Sequence, residues 1–442
     1  MDKTLCSVGV DVGTTTTQLI VSRIVVQNHA SAFAVPELKI TEREILYRSP
    51  VYFTPLIRDK LVDGDAIRKI IQEEYKEAGI SRESVDTGAI IITGETSRKE
   101  NAATVLESLS DMAGDFVVAT AGPHLESVLA AKGSGAVAWS EQTGKRVMHF
   151  DIGGGTSNWA LIENGKIRET GCLNVGGRLV KLDRSGRVTY VSPVLEKLCK
   201  LKIGDAVTLG QIRSVAEMLV QALEMAAGLR EKTDLMERLW TQEAGALGAS
   251  AHEKAVISFS GGVADCIDKR QDWLEFGDIG PVLGSVIRTS RLCQGEYRVG
   301  AETIRATVIG AGCYSAQLSG STVFYRNVEF PLKNLTVVTD TKEMALLDEP
   351  GILALDGVEG DGYGAVCTLA DRLVEVIEGP VFVALEADVA KALGQAMALR
   401  LPEDRPVLCI DRVRLRQGDY LDVGAPLGPC LPVVVKTLIL ER

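Results

Sequence analysis

Two stretches of the chain repeat one another. The segment beginning at Val8 reads VGVDVGTTTTQLIVS, and the segment beginning at Met148 reads MHFDIGGGTSNWALI. At one constant offset, Asp11 falls on Asp151, Val12 on Ile152, Gly13 on Gly153, Thr16 on Thr156 and Thr17 on Ser157. In each copy an apolar run ends at an aspartate, a glycine-containing turn with small hydroxyl residues follows, and a second apolar run begins at once. That pattern predicts a β-hairpin. One such loop is compatible with an ordinary solvated turn. Two with matching residue order constrain the chain to a duplicated domain whose hairpin loops face one another across a cleft.

The residue types in those loops carry chemistry. Glycine lets turn N–H groups approach a ligand closely, and Thr and Ser add hydroxyl donors. A carboxylate at the tip suits a hydrated divalent cation. Facing loops of this kind would grip the two ends of a phosphate chain. The formal net charge of −11, with no dense basic run, excludes nucleic acid and anionic membrane as the main partners. No apolar run approaches the roughly 20 residues that span a bilayer, and the amino terminus does not read as a secretory signal. The nine cysteines are scattered without a CxxC pair and read as small buried hydrophobes in a reducing cytoplasm. Four histidines without HExxH argue against structural zinc.

The remaining pattern predicts an α/β fold. AIIIT from Ala89 reads as a buried strand. Leu209, Ile212, Val215, Ala216, Leu219, Val220 and Leu223 recur at helical spacing, with Thr208 and Gln211 as a capping box and Gly228 as the stop. AVISFSGGVADCI from Ala255 reads as strand, Gly-Gly turn, helix. After about Tyr325 prolines punctuate short strand candidates, PVFVAL, PVLCID and PVVVKTLIL. The expected division is 1–145, 146–325 and 326–442: two duplicated domains, then a β-rich extension or an elaboration of the second.

The hairpin pair resembles the phosphate-1 and phosphate-2 loops of the actin-like ATPase superfamily, which includes actin, heat-shock chaperone ATPases, sugar kinases and exopolyphosphatases. SFSGGVAD, Ser258 to Asp265, stands where that superfamily has its adenosine motif. TAGPHLESVLAAKGSGA and VIGAGCYSA stand where it has its two connecting helices. No GxxxxGK[ST] loop occurs, and no GxGxxG follows a strand. The longer segments VGVDVGTTTTQL, IIITGETSRKENA, FDIGGGTSN, FSGGVAD with GDIGP, and the tail CIDRVRLRQGDYLDVGAPLG are similar to the reactivating factors of ethanolamine ammonia-lyase, over essentially the whole chain. The diol dehydratase reactivases have a larger subunit with an inserted domain, for which this chain has little room.

The resemblance implies duplicated actin-like, ribonuclease H-like domains around a nucleotide cleft. It implies ATP and Mg²⁺ as cofactors and cobalamin-bound ethanolamine ammonia-lyase as partner. Members act as chaperones more than as metabolic enzymes: they use ATP to release damaged cobalamin so that intact adenosylcobalamin can rebind. Residence in the cytoplasm, with association to a bacterial microcompartment, is the matching family expectation, and a homodimer stays open. Asp11 and Asp151 would hold Mg²⁺ through water, with Asp151 also able to orient or deprotonate the attacking water; the plainer alternative is that both are turn-formers. Gly13, Thr14, Thr15 and Thr16, with Gly153, Gly154, Gly155 and Thr156, would present donors to the β- and γ-phosphates.

Glu126 would complete the catalytic set as the connecting-helix acid, its alternative being an exposed helix glutamate; Glu95, with Arg98 or Lys99 as neighbours, is a weaker candidate. Gly261, Gly262 and Val263 would let adenine and ribose lie against backbone. Gly310 joins the nucleotide set, with close helix packing as the competing reading, shared by Gly312. His124 reads as structural rather than as a cobalamin ligand. No residue is matched by spacing to the lysine that heat-shock chaperone ATPases place near the γ-phosphate, so the expected Mg²⁺-dependent hydrolysis is slow. A small-molecule kinase or phosphatase of the same superfamily and a filament-forming ATPase are the rival readings.

Overall fold

A computed structural model of the chain describes residues 3–13, 16–28, 38–57, 61–93, 101, 105, 109, 117–120, 123–241, 255–314, 317–319, 322–344, 347, 350–417, 419–426 and 430–437. The sequence repeat is a repeat of topology. In the first sheet the strand Lys3–Val12 pairs antiparallel with Thr16–Asn28, which pairs antiparallel with Leu38–Arg48. On its other side Lys3–Val12 runs parallel to Thr87–Ile92, and that strand parallel to Val117–Thr120. The second sheet is built in the same order: Lys166–Leu173, Ser157–Glu163, Val147–Ile152, Val256–Ser260 and Tyr297–Val299, with two antiparallel pairings and then two parallel ones. The strands of both hairpins are largely buried on both faces, as strands covered on both sides are, with Ser7, Gln18, Ser22, His149 and Asn158 as buried polar exceptions to an apolar run.

Helices cover the outer faces. Asp63 caps the helix Gly64–Glu77 by accepting the Ala66 N–H at 3.0 Å, and Ile67, Ile71 and Tyr75 of that helix pack on Val8, Val10 and Val12. The helix Leu209–Ala226 and the helix Gly280–Thr289 close the outer face of the second sheet over Phe150 and Ile152. The expected Thr208–Gln211 capping box is formed. Gly228, at φ +69°, follows the last turn, and the Leu229 N–H returns to the Glu224 carbonyl at 2.8 Å.

Between the sheets lie two crossing helices, Pro123–Gly133 and Ala306–Tyr314. They correspond to the two segments read as connecting helices. Pro123–Gly133 follows the first sheet in sequence but packs on the strands of the second, whereas Ala306–Tyr314 follows the second sheet and packs on Lys3–Val12 and Thr16–Asn28. Their backbones meet at small residues. A Cβ on Gly310 would stand 2.2 Å from the Leu129 carbonyl oxygen, and one on Gly133 would stand 1.8 Å from that of Ala306.

The third sheet has eight strands in mixed directions. Leu332–Val338, Gly351–Leu355, Val381–Leu385 and Val407–Ile410 run parallel. The helices Gly362–Val376 and Ala390–Ala398 cover one face through Leu369, Leu373, Leu393 and Met397. Phe324–Arg326 of the same sheet straddles the expected boundary at 325/326. The tail is thus β-rich, an eight-stranded sheet with helices on one face, in keeping with an α/β extension. The three strand candidates between the prolines are all strands, the last of them Pro432–Thr437.

Candidate functional site

Both hairpins turn in the same way. Val12 pairs with Thr17 and Asp11 with Gln18; in the second copy Ile152 pairs with Ser157 and Asp151 with Asn158. The Gly13 N–H donates to the Thr16 carbonyl and the Gly153 N–H to the Thr156 carbonyl, each at 2.9 Å. The two turns open onto one cavity of about 300 Å³ between the lobes. Asp11, Asp151, Glu126, Gly13, Thr16, Gly153, Gly154, Gly155, Thr156, Gly261, Gly262 and Val263 all line it. Thr14, Thr15, Glu95, Arg98 and Lys99 lie outside the described residues.

Gly310 does not line the cavity. It sits at the crossing of the two central helices, where its missing side chain permits the close approach, so packing is the reading that fits its position. Gly312 does the same against Gly9 and Ile20. His124 bonds Thr170 at 2.7 Å through its Nδ1. Gly261 has a different reason to be glycine: its φ is +84°, and a Cβ there would meet the Ile152 carbonyl oxygen at 2.4 Å. This places the strand end of Val256–Ser260 directly over the second hairpin.

The two aspartates are held by hydroxyls from other elements. Thr93, just past the strand Thr87–Ile92, donates to Asp11 Oδ1 at 2.8 Å. Ser260 donates to Asp151 Oδ1, and Thr307, at the start of the helix Ala306–Tyr314, donates to Oδ2 at 3.4 Å. Ser260 also meets Nε2 of the wholly buried His149 at 3.0 Å, and His149 Nδ1 meets Ser258 Oγ at 3.1 Å. Burial holds His149 at about 3, so this ring is neutral. These supports were not legible in the sequence as site residues. Each is a lone hydroxyl or ring supplied by a neighbouring strand or a distant helix: parallel pairing sets Ser260 beside Asp151, and Thr93 follows the strand that pairs with Lys3–Val12.

Electrostatically the ligand-free pair is costly. Burial raises the Asp11 carboxyl to about 7, opposed by the Thr93 hydrogen bond and reinforced by the charge of Asp151. Burial raises Asp151 to about 6, opposed by Ser260 and Thr307. Both folded-state values stand above the unfolded carboxylate value of about 4, so the fold retains protons that the unfolded chain has released. Stability from this source is complete below about pH 4 and is lost as pH rises through about 6 to 7. Asp11→Asn removes that loss. The ligand-free variant is expected to be more stable than wild type at pH 8 by on the order of 2 kcal/mol, with the difference shrinking toward pH 5. Urea melts at the two pH values check this; an equal difference at both contradicts it.

Two orphaned oxygens bear on what the cavity can hold. Gln18 donates its amide to the Ile304 carbonyl at 3.0 Å and Asn158 donates its amide to Glu126 Oε2 at 2.6 Å, which fixes both amide orientations. Their carbonyl oxygens, Gln18 Oε1 and Asn158 Oδ1, are then buried without a partner. They occupy equivalent positions of the two hairpins, each opposite its aspartate, and both residues line the cavity. With Asp11, Asp151 and Glu126 they line the cavity with oxygen, the hard donor type that Mg²⁺ takes; among the described residues no three carboxylate, histidine or cysteine side chains stand close enough to hold an ion directly, so contact to a cation would run through water. Glu126 is buried at 7% exposure, so the exposed-helix alternative for it does not hold.

The family model described as "Ethanolamine utilisation protein EutA" matches residues 3–350 and 347–441. The chain belongs to the EutA family. It is 39% identical to the ethanolamine ammonia-lyase reactivase EutA of Salmonella typhimurium strain LT2, and 40% identical to the protein of that name from Escherichia coli strain K12. Each alignment covers 98% of this chain and 98% of the relative. Among solved structures, the ethanolamine utilization protein EutJ from Carboxydothermus hydrogenoformans aligns over 69% of this chain and 88% of its own at 19% identity and a TM-score of 0.36. An Aquifex aeolicus member of the Ppx/GppA family aligns over 70% and 97% at 16% identity and a TM-score of 0.40. The EutA-family reading accommodates the third sheet as well, since the match continues to residue 441. Among the described residues no helix is long and apolar enough to cross a membrane.

Proposed function

We propose that this protein is an ATP-dependent reactivase of ethanolamine ammonia-lyase, and that the cleft between the two hairpins is its nucleotide site. The observation that carries the reading is the pair of equivalent aspartate hairpins opening onto one cavity, in a chain whose full-length relatives carry the name reactivase. Asp11 and Asp151, with Glu126 and the amide oxygens of Gln18 and Asn158, would hold a hydrated Mg²⁺ through its water. Bound there, the ion would neutralise phosphate charge. The turn N–H groups of Gly154 and Gly155 and the hydroxyls of Thr16 and Thr156 would orient the phosphate chain. Asp151, fixed by Ser260 and Thr307, would orient the attacking water and accept its proton.

Work on the lyase would follow from the two lobes. A nucleotide touching both hairpins favours the closed arrangement only by its differential affinity for it, and loss of one phosphate's contacts shifts the balance. The two central helices are the elements that would carry the shift, because each packs on the sheet of the opposite lobe. The lyase, in its state blocked by damaged cobalamin, is the proposed partner, in the cytoplasm or at a microcompartment.

Ethanolamine ammonia-lyase inactivated with cyanocobalamin, incubated with this protein, free adenosylcobalamin, Mg²⁺ and ATP, is expected to recover ammonia release, and to stay inactive without nucleotide or with Mg²⁺ chelated. Recovery that is equal with and without ATP overturns the reading. A pull-down in which ATP and ADP give the same lyase affinity overturns the coupling.

A further inference from the structure

A phosphate chain entering this cavity meets a crowded negative field: Asp11, Asp151, Glu126, Asp265 and Asp278 all line it. One bound divalent cation does not offset five carboxylates and a polyphosphate. Among the described lining residues a single side chain carries positive charge, Arg178.

Arg178 is fastened to the second hairpin through its backbone. Its N–H donates to the Gly154 carbonyl at 2.7 Å, and that of Gly177 to the Gly153 carbonyl at 3.0 Å. Gly176 makes the approach possible, since a Cβ there would stand 2.3 Å from the Gly154 oxygen. The side chain is also held. Nε donates to Asp278 Oδ2 at 3.2 Å, and the buried Asp278 is itself oriented by the Gly280 N–H, 2.8 Å from Oδ1. Asp278 thus takes the Nε–H, which leaves the four N–H donors on the two terminal nitrogens, the fork that matches a phosphate. From the opposite lobe the exposed ring of Phe53 reaches under the guanidinium, 5.7 Å from its carbon to the ring centroid. Phe53 pairs with Thr16 of the first hairpin. Arg178 therefore touches both sides of the cleft next to the turn that follows Asp151.

We infer that Arg178 is the phosphate-binding cation of the cleft and takes the terminal phosphate of a bound nucleoside triphosphate, so that it distinguishes the triphosphate from the diphosphate. This rests on the nucleotide reading of the cleft. It places a cation beside the hairpin that carries Asp151. A purely structural Arg178–Asp278 pair would affect folding and leave nucleotide preference alone.

Calorimetric titrations with Mg²⁺ and either a non-hydrolysable ATP analogue or ADP separate these cases. Arg178→Ala is expected to weaken the analogue on the order of tenfold to a hundredfold and ADP by less than about threefold, with Arg178→Lys intermediate as a point charge without the fork. Should Arg178→Ala not fold, Arg178→Gln, which keeps much of the side chain's length, is read in the same way. An unchanged ratio of ADP to analogue affinity in a folded, uncharged variant overturns the assignment while leaving the nucleotide cleft intact. Failure of wild type to bind either nucleotide overturns both.

Discussion

Asp151→Asn is expected to reduce ATP-dependent reactivation of the lyase by about a hundredfold or more, the scale of losing a preorganised charge at a reacting centre, with the fold retained. Asn keeps the shape: its Oδ1 can still accept from one of the two hydroxyls, Ser260 and Thr307, that now hold the carboxylate, and its amide N–H can donate to the other hydroxyl oxygen. What it loses is the anion proposed to hold the hydrated cation and the attacking water. Burial disfavours the charged form and raises Asp151 to about 6, so a neutral side chain at this position spares the fold the cost of a buried charge. Reactivation measured beside a melting curve checks both halves. A variant that melts like wild type and still reactivates at wild-type rate would remove Asp151 from the chemistry.

The second large effect is mechanical. Gly310→Val is expected to lower stability by about 3 kcal/mol or more, because the Cβ alone would stand 2.2 Å from the Leu129 carbonyl oxygen, and backbone cannot swing aside as a side chain can. Gly310→Ala should cost less, on the order of 1–3 kcal/mol, as the helices part slightly. The same substitutions alter the helix crossing proposed to couple the lobes, so Gly310→Ala should also reduce the difference that ATP makes to lyase binding. Chemical denaturation with a lyase pull-down in ATP and in ADP measures the two consequences. Wild-type stability in Gly310→Val would show that the helices do not cross at this residue.

The duplicated hairpins were legible because their signal is local. An apolar run, an aspartate, glycine and hydroxyls within a dozen residues state both the turn and its chemistry, and the repeat removes the ambiguity of either copy alone. The supports of the aspartates were hidden for the opposite reason. Thr93, Ser260 and Thr307 lie 82, 109 and 156 residues from the carboxylates they hold, and a single hydroxyl carries no pattern. The orphaned amides could have been found: Gln18 and Asn158 occupy matching places in the two copies. Arg178 had a weaker signal, the Gly176–Gly177 pair before it, which marks a backbone that something must approach.

The β-rich character of the third sheet is legible because prolines delimit its strands, whereas Gly360, Gly362 and Gly364 dilute the signal at the start of the helix Gly362–Val376. Packing of Leu369 and Leu373 on the parallel strands overrides that weak local preference. Gly310 shows the limit of reading residue type without context. A glycine beside a nucleotide and a glycine between helices look alike in sequence, and only the distance to Leu129 separates them.

That the two hairpins act as one site is tested most directly by a double-mutant cycle on nucleotide binding. Wild type, Asp11→Asn, Asp151→Asn and the double variant would be titrated with an ATP analogue at saturating Mg²⁺. If both carboxylates hold the same ion, each single variant loses on the order of tenfold or more in affinity, and the double variant loses little beyond either one, a strong positive coupling. Single variants that bind the analogue as wild type does, or losses that simply add, would mean that the hairpins do not share a nucleotide-bound cation, and the account of the cleft would be wrong.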